Sequence, residues 1–367
     1  MGRAGGGCPR RRGAAHERRA LARQFPLLRH ARHCGERCFL VGGGRWCCGV
    51  GPQVVPRSGE TSVEESGARF SRYVRDGVID GNVVAADLLD HVRREVDRFR
   101  AAGVVPRLAL VRVGDDPASA VYVRRKVKDC ARCGIDSEHV HLPADATQEA
   151  VLATIDDLQS RDDVDGILVQ LPLPAGLDEV QVLESVDPAR DVDGFHPNNL
   201  GRLLFRRALL EPCTPSGVMH MLSQVGVCPR GKEAVVVGRS RIVGRPMAQM
   251  LTRADATVTL CHRHTPDLEG HVRRAELLVV ATGVPGLVRG EWVREGAVVV
   301  DVGINRNPEG RLVGDVDFAR ARERAALITP VPGGVGPLTV AMLLWNTLSA
   351  CWARRLCTLA PPQLPHP

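Results

Sequence analysis

The chain has 367 residues, of which 44% are apolar and 25% charged, enough for two domains with cores of their own. Aromatic residues make up only 4%, and no apolar run approaches the ~18–20 residues that cross a bilayer, so a membrane span is not expected. The net charge of +7 is local: residues 1–69 carry 13 basic and 5 acidic side chains, the remainder 36 and 37, so it says nothing about partners of the body.

Residues 1–69 read as a disordered basic extension. Gly-rich and Arg-rich pieces surround a weakly amphipathic stretch, 17–32. An arginine-rich, acid-poor bias also marks mitochondrial transit peptides, but these are usually rich in serine, and the first serine here is Ser58. The compartment is therefore expected to be cytoplasmic, with the mitochondrial matrix as the alternative. A nucleic-acid arm lacks the aromatic interleaving it would need, so no nucleic-acid partner is expected. Five of the 12 cysteines precede residue 50. Cys130 and Cys133 form a lone CxxC, half a zinc site at most, and are expected to be reduced core thiols.

The body is expected to begin near Ile79. Val84, Leu88, Leu89, Val92, Val96 and Phe99 recur at helical spacing. Leu108–Val113 reads as a strand. Asp116, Pro117 and Gly134 are the cap, first residue and stop of a helix that sets Tyr122 and Lys126 on one face. A helix over Val151–Leu158 and a buried strand ending at Gln170 follow, stopped by Pro172 and Pro174. The run 191–198, DVDGFHPN, is dense in carboxylates and turn residues. Its aspartates could bind a metal, a substrate, or only their own backbone. A helix is expected over Val218–Val225.

Glu233–Met250 is then a strand, a glycine turn and a helix start. Gly238 and Gly244 bracket the turn and Pro246 sits in the first helical turn. That arrangement points backbone N–H groups and a helix dipole at one spot, which suits a phosphate. It is not the G-x-G-x-x-G fingerprint, since Ser240 replaces the second glycine. Three further short apolar runs, Thr257–Cys261, Leu277–Thr282 and Ala297–Val302, alternate with candidate helices. They argue for a parallel doubly wound sheet with ligands at its carboxyl edge. A Gly- and Pro-rich loop, 328–337, precedes a final apolar helix, Leu338–Leu348. No periodicity remains after Arg355, so 356–367 is expected to be a disordered tail.

Five ordered motifs, Tyr122-Val-x-x-Lys126, Val169-Gln-Leu-Pro-Leu-Pro174, Asp191-Val-Asp-Gly-Phe-His-Pro197, Gly238-Arg-Ser-x-Ile-Val-Gly244 and Pro330-Val-Pro-Gly-Gly-Val-Gly-Pro-Leu-Thr339, resemble the bifunctional methylenetetrahydrofolate dehydrogenase/methenyltetrahydrofolate cyclohydrolase family. The resemblance covers about residues 75–350. It implies an α/β protein of two domains: a Rossmann-like doubly wound sheet over 213–324, and an α/β catalytic domain over 70–212 and 325–355, closed by the C-terminal helix. It implies NADP-linked oxidation of 5,10-methylenetetrahydrofolate, then hydrolysis to 10-formyltetrahydrofolate, which supplies purine synthesis. It also implies a homodimer formed through the nucleotide domain. No metal is expected, because the cationic iminium carbon is already an electrophile.

By the same resemblance Lys126 is the catalytic lysine, Tyr122 packs on the folate, and Gln170 stands beside the lysine as a neutral partner. Asp193 holds the pterin edge, where a carboxylate can accept two N–H bonds. Leu171, Pro332, Gly333, Gly334 and Val335 complete the substrate site. The NADP site comprises Gly238, Arg239, Ser240, Val243, Gly244, Pro246, His262, Arg263, Thr282, Gly283, Gly303 and Ile304. No carboxylate follows the second nucleotide strand, and Arg239 and Arg263 supply cations, so NADP is preferred over NAD. Another nicotinamide dehydrogenase would leave Tyr122, Lys126 and Gln170 unexplained. A binding-only relative would be expected to lack the lysine or the aspartate.

Overall fold

The computed structural model describes residues 38–41, 45–48, 71–205 and 207–365. They belong to two compact units, 1–61 and 62–367. In the first, Cys38–Val41 (β1) and Arg45–Cys48 (β2) pair antiparallel. This hairpin departs from the structureless arm expected there; Phe39, Val41 and Trp46 favour strands, and three glycines separate the two. The rest of the arm, including 17–32, lies outside the described residues.

The second unit opens with two short strands, Val74–Arg75 (β3) and Val78–Ile79 (β4). Helix α1 spans Gly81–Ala101, and Asp80 caps it by accepting from the N–H of Asn82 at 3.0 Å. It buries all six of the apolar residues whose spacing foretold it. Strand β5 (Arg107–Val113) leads to α2 (Pro117–Cys133). Asp116 caps α2 through the Ser119 N–H at 2.7 Å, and Gly134 ends it at φ +76°. Then come β6 (Asp136–Leu142), α3 (Gln148–Ser160), β7 (Gly166–Val169), α4 (Glu179–Ser185), α5 (Pro197–Leu204) and α6 (Cys213–Gln224). Beyond them lie β8 (Glu233–Val237), α7 (Gly244–Arg253), β9 (Thr257–Cys261), α8 (Leu268–Arg274), β10 (Leu277–Val280) and β11 (Val298–Asp301). The series closes with β12 (Asn305–Arg306), β13 (Leu312–Val313), α9 (Phe318–Arg322), β14 (Leu327–Ile328) and α10 (Val335–Arg355).

Two main sheets result. The larger has the order β3-β4-β14-β11-β10-β8-β9, parallel throughout except for the β3–β4 pair. Its inner strands β8, β10 and β11 are Val- and Leu-rich and buried on both faces. The smaller sheet, β6-β5-β7, is parallel. Strands β3, β4 and β14, expected with the catalytic part, therefore pair with the nucleotide-type sheet instead. These strands are two residues each and carry no periodicity that could have placed them.

Helix α10 lies between the sheets and packs on α6 and α1. One apolar cluster runs from α1 and β5 through α10 and α6 to β8 and β10. Leu338, Leu344 and Leu348 are fully buried, each contributing roughly 1.5–3 kcal/mol. By length and composition α10 could cross a membrane, contrary to the expectation that no segment would; its burial makes it a core helix. It begins at Val335, three residues before the expected start, and absorbs part of the glycine-rich loop.

Among the described residues of the tail, the expected disorder is also corrected. Leu356 is buried, Trp352 Nε1 donates to the Leu359 carbonyl, and His91, Arg98 and Gln224 engage the carbonyls of Gln363, Ala360 and Pro365. The segment docks through its backbone carbonyls, which no side-chain pattern reveals. Cys130 and Cys133 are buried in the core, and burial pushes their thiols up to about 12 and about 11.

Candidate active site

The small sheet delivers the first pair of side chains. Strand β7 ends at Val169, and Gln170 follows it, its N–H bonded to the Val111 carbonyl of β5 at 2.8 Å. Lys126, from the middle of α2, reaches across and donates from Nζ to Gln170 Oε1 at 3.0 Å. The Gln170 amide is held in turn, since Nε2 donates to the Leu171 carbonyl at 2.7 Å. Tyr122 stands one helical turn before Lys126, and the residue is 41% exposed. A large exposed aromatic beside a half-buried lysine offers a flat apolar surface to a ring.

The two aspartates differ in their hydrogen bonds. Asp191 is buried and accepts from the N–H of Gly194 (3.2 Å) and His196 (2.8 Å) and from Asn199 Nδ2 (2.9 Å). It folds the loop. The Asp193 carboxylate accepts no hydrogen bond from any described residue. Burial pushes it up to about 6; the Lys126 ammonium pulls it down and Asp191 adds to the rise. Gln170 is thus not the whole electrical environment of Lys126, as the sequence suggested, because a carboxylate also acts on it.

The loop before α10 supplies a backbone surface. Its Val331–Pro332 bond is cis, like Leu171–Pro172 after β7. Gly333 lies at φ +98°, and a Cβ on Gly334 would come within 2.5 Å of the Pro330 carbonyl oxygen. Gly81 at the head of α1 sits so close to this loop that a Cβ there would lie 1.8 Å from the Gly334 oxygen. Glycine is what permits the approach.

At the carboxyl edge of the large sheet, Gly238 and Gly244 form a tight cradle. A Cβ on Gly238 would meet the Ala281 oxygen at 2.0 Å, and one on Gly244 the Gly238 oxygen at 1.9 Å. The arrangement fits a nucleotide phosphate: glycines in the cradle, Pro246 in the first turn of α7, and exposed Arg239, Arg245 and Arg263 around it. One expectation is corrected here. The N–H groups of Val243 and Gly244 are not free, since Ser240 Oγ accepts both, at 3.1 and 3.2 Å. The serine that replaces the second glycine ties the turn that leads into α7. After β9, His262 Nδ1 accepts from the His264 N–H at 3.2 Å, and the four residues that follow Cys261, His262–Thr265, include no carboxylate.

Two acids that the sequence reading missed organise the remaining cofactor residues. Asp315 Oδ2 accepts from the Thr282 N–H (2.5 Å), the Thr282 hydroxyl (2.9 Å) and the Gly283 N–H (2.9 Å); its Oδ1 accepts from Asn305 Nδ2 at 2.8 Å. Asp301, at the end of β11, accepts from the N–H groups of Gly303, Asp315 and Val316. Burial pushes Asp301 up to about 6 against those bonds. The N–H and hydroxyl of Thr282 are thus both turned onto Asp315, while Ile304 is 48% exposed. An acid closing an apolar strand and a second acid flanked by glycine were the available signals.

Known proteins resemble this chain over most of its length. The family model for the tetrahydrofolate dehydrogenase/cyclohydrolase catalytic domain matches residues 79–193, and that for its NAD(P)-binding domain matches 212–355. The bifunctional protein FolD of Acidithiobacillus ferrooxidans is 56% identical over 273 residues, covering 74% of this chain and 95% of its own. FolD 2 of Geobacter sulfurreducens is 52% identical over 273 residues, covering 74% and 96%. Among solved structures, the bifunctional FolD enzyme of Campylobacter jejuni aligns with a TM-score of 0.73 at 46% identity, covering 75% of this chain and 98% of that one. The Trypanosoma brucei enzyme, solved with NADP and an inhibitor, aligns with a TM-score of 0.73 at 44% identity, covering 77% and 98%. With two family models spanning most of 79–355 and relatives more than half identical, the chain belongs to the bifunctional tetrahydrofolate dehydrogenase/cyclohydrolase family.

Proposed function

We propose that the protein oxidises 5,10-methylenetetrahydrofolate with NADP to 5,10-methenyltetrahydrofolate, then adds water to give 10-formyltetrahydrofolate. The observation that carries this reading is the Lys126–Gln170 contact, with the unclaimed carboxylate of Asp193 acting on the same lysine. NADP, when bound, accepts the hydride released from the methylene carbon. Gly238, Gly244 and the cations around them would hold its phosphates, and the loops fixed by Asp301 and Asp315 would frame its reactive end. Tyr122 gives the folate ring a surface, and Asp193 accepts from the pterin amide and amine. Lys126 Nζ, fixed by Gln170, is placed to hydrogen-bond the water that attacks the methenyl carbon and to pass on its proton. Leu171 and Pro332–Val335 close the cleft around the substrate.

The test is absorbance. Purified protein with 5,10-methylenetetrahydrofolate and NADP should form reduced nicotinamide, followed by decay of the methenyl band. A protein that binds the folate yet forms no reduced nicotinamide would refute the dehydrogenase assignment.

The homodimer is part of the same reading. Ile242 and Pro246 of the nucleotide part line a largely apolar cavity of about 490 Å³ together with Leu204, which is 58% exposed. An apolar surface of this kind favours burial against a second copy. Sedimentation of the wild-type protein and of Ile242→Glu, on the nucleotide part, checks it: the dimer should weaken in the variant. The compartment follows the N-terminal arm: we place the enzyme in the cytoplasm, and an N-terminal mass showing loss of residues 1–69 in cells would move it to the mitochondrial matrix.

A further inference from the structure

Asn346 lies in the middle of α10, only 2% exposed, where a polar side chain has no solvent to satisfy it. Its Nδ2 donates to two backbone carbonyls, Val192 and Glu211, each at 2.8 Å, and approaches Cys213 Sγ at 3.5 Å. The two carbonyls come from separate stretches of chain that frame one residue. The Val192 carbonyl belongs to the peptide unit that joins Val192 to Asp193, so holding it fixes the plane from which the Asp193 side chain departs.

The other stretch closes on the loop from its far side. Gly194, at φ +74°, packs so tightly that a Cβ would lie 2.5 Å from the Glu211 carbonyl carbon. The Asp193 carbonyl accepts from the Cys213 N–H at 3.4 Å, and the Cys213 thiol donates to the Val192 carbonyl at 3.2 Å. Burial holds that thiol well above its ordinary range, so it stays neutral and acts as a donor. The Glu211 carboxylate is paired to Arg253 of α7 through both oxygens. One amide group thus ties the Asp193 loop to the segment entering α6, and through Glu211 to the nucleotide part.

We propose that Asn346 is a positioning residue for folate recognition, acting through Asp193. The proposal rests on the reading of Asp193 as the folate-holding carboxylate. A side chain that merely filled the core would affect folding and all ligands alike. One that orients Asp193 affects the folate and spares NADP.

The experiment compares Asn346→Ala, which removes both donors, with Asn346→Ser, the milder change that keeps one hydroxyl and serves where the alanine variant does not fold. KM for 5,10-methylenetetrahydrofolate should rise about tenfold in Asn346→Ala, with KM for NADP changed less than about twofold. In an Asp193→Asn background the same Asn346 substitution should have little further effect on folate KM, because the two act on one contact. Equal losses toward both ligands, or an undiminished effect in the Asp193→Asn background, would overturn the proposal. Asp193→Asn with wild-type folate affinity would overturn the site reading itself. Weak folate binding in Asp193→Asn, with wild-type binding in folded Asn346→Ser and Asn346→Ala, would overturn the positioning role alone.

Discussion

Lys126 Nζ meets Gln170 Oε1 at 3.0 Å, while the Nε2 of the same amide is fixed on the Leu171 carbonyl at 2.7 Å. The second bond settles the first: with the amide nitrogen committed to a carbonyl, only the oxygen can face the lysine. The partner is therefore an acceptor without charge, held at the end of a buried strand.

This pair sets the first prediction. Lys126→Met should lower the cyclohydrolase rate by a factor on the order of 10² or more, because water loses its proton-handling group. Hydride transfer needs the lysine mainly for placement and should fall less. Gln170→Glu puts an anion against Nζ in the same geometry, holds the ammonium, and should also damage hydrolysis more than oxidation. Decay of added methenyltetrahydrofolate and formation of reduced nicotinamide report the two steps separately; a wild-type decay rate in folded Lys126→Met would remove the lysine from the mechanism.

Asp193 sets the second. Its carboxyl titrates ordinarily at 3.8 and at about 6 in the folded protein, chiefly because of burial. A raised carboxyl binds its proton more tightly when folded. The stability it contributes is complete below its unfolded value and is lost as pH rises toward about 6. Above that, the ionised group is a burden to the unliganded fold. Asp193→Asn should therefore stabilise the unliganded protein by ~1–2 kcal/mol at pH 7.5, less than the full shift implies because solvent partly reaches the carboxyl. The gain should vanish near pH 4, while folate binding is weakened throughout. Denaturant midpoints at the two pH values measure it; a variant less stable than wild type at pH 7.5 would contradict the burial argument.

Much of this was legible in the sequence for physical reasons. The face of α1 declares itself through Val84, Leu88, Val92, Val96 and Phe99 because one side of that helix is in the core. Asp116, Pro117 and Gly134 mark α2 because capping is local chemistry. Strands β8, β10 and β11 show as continuous apolar runs because both of their faces are covered. Strand β6 did not show, since DSEHVHL lies at a sheet edge and keeps its polar residues near solvent. Asp315 was missed because its partners Thr282 and Asn305 come from other loops, and local spacing does not encode such a meeting. Spacing alone did not separate Asp191 from Asp193; the motif resemblance singled out Asp193, and the hydrogen bonds that tie Asp191 to its own loop appear only with the neighbours in place.

The third prediction concerns the clasp that fastens α10. Asp165 is fully buried and accepts from the Arg107 N–H (3.0 Å), Arg354 Nη1 (3.1 Å) and Arg355 Nη1 (3.1 Å). Burial pushes its carboxyl up in spite of the opposing pull of Arg355, the Arg107 N–H and Arg354, so the ion pair is not itself a large gain. Breaking it is another matter, because two guanidiniums would lose their only carboxylate partner among the described residues and keep just the Val164 and Val105 carbonyls. Asp165→Ala should destabilise by ~3–5 kcal/mol, and Asp165→Asn, which keeps an oxygen, by less. Urea midpoints that rank the two in the opposite order would disprove this account.

The last prediction is cofactor choice. An NAD site usually places a carboxylate after the second nucleotide strand, where it bonds the ribose hydroxyls and repels a 2′-phosphate. Here β9 ends at Cys261 and continues as His262-Arg263-His264-Thr265, with the Arg263 side chain exposed. Arg239 emerges from the cradle between Gly238 and Ser240, also exposed, and has no carboxylate partner among the described residues. Its neighbour Arg241 differs, being tied to Glu179 of α4 at 3.1 Å, so it is less available to an anion. Arg239 is thus the cation in the turn best placed for a phosphate, and a guanidinium offers paired donors to one. Arg239→Glu should raise KM for NADP by ~30-fold or more while changing KM for NAD by only a few-fold, since NAD lacks the group the arginine meets. Arg241→Ala should alter the ratio much less. The two KM ratios, measured at fixed ionic strength, decide it; equal losses for NADP and NAD in Arg239→Glu would show that the residue shapes the turn and does not read the 2′-phosphate.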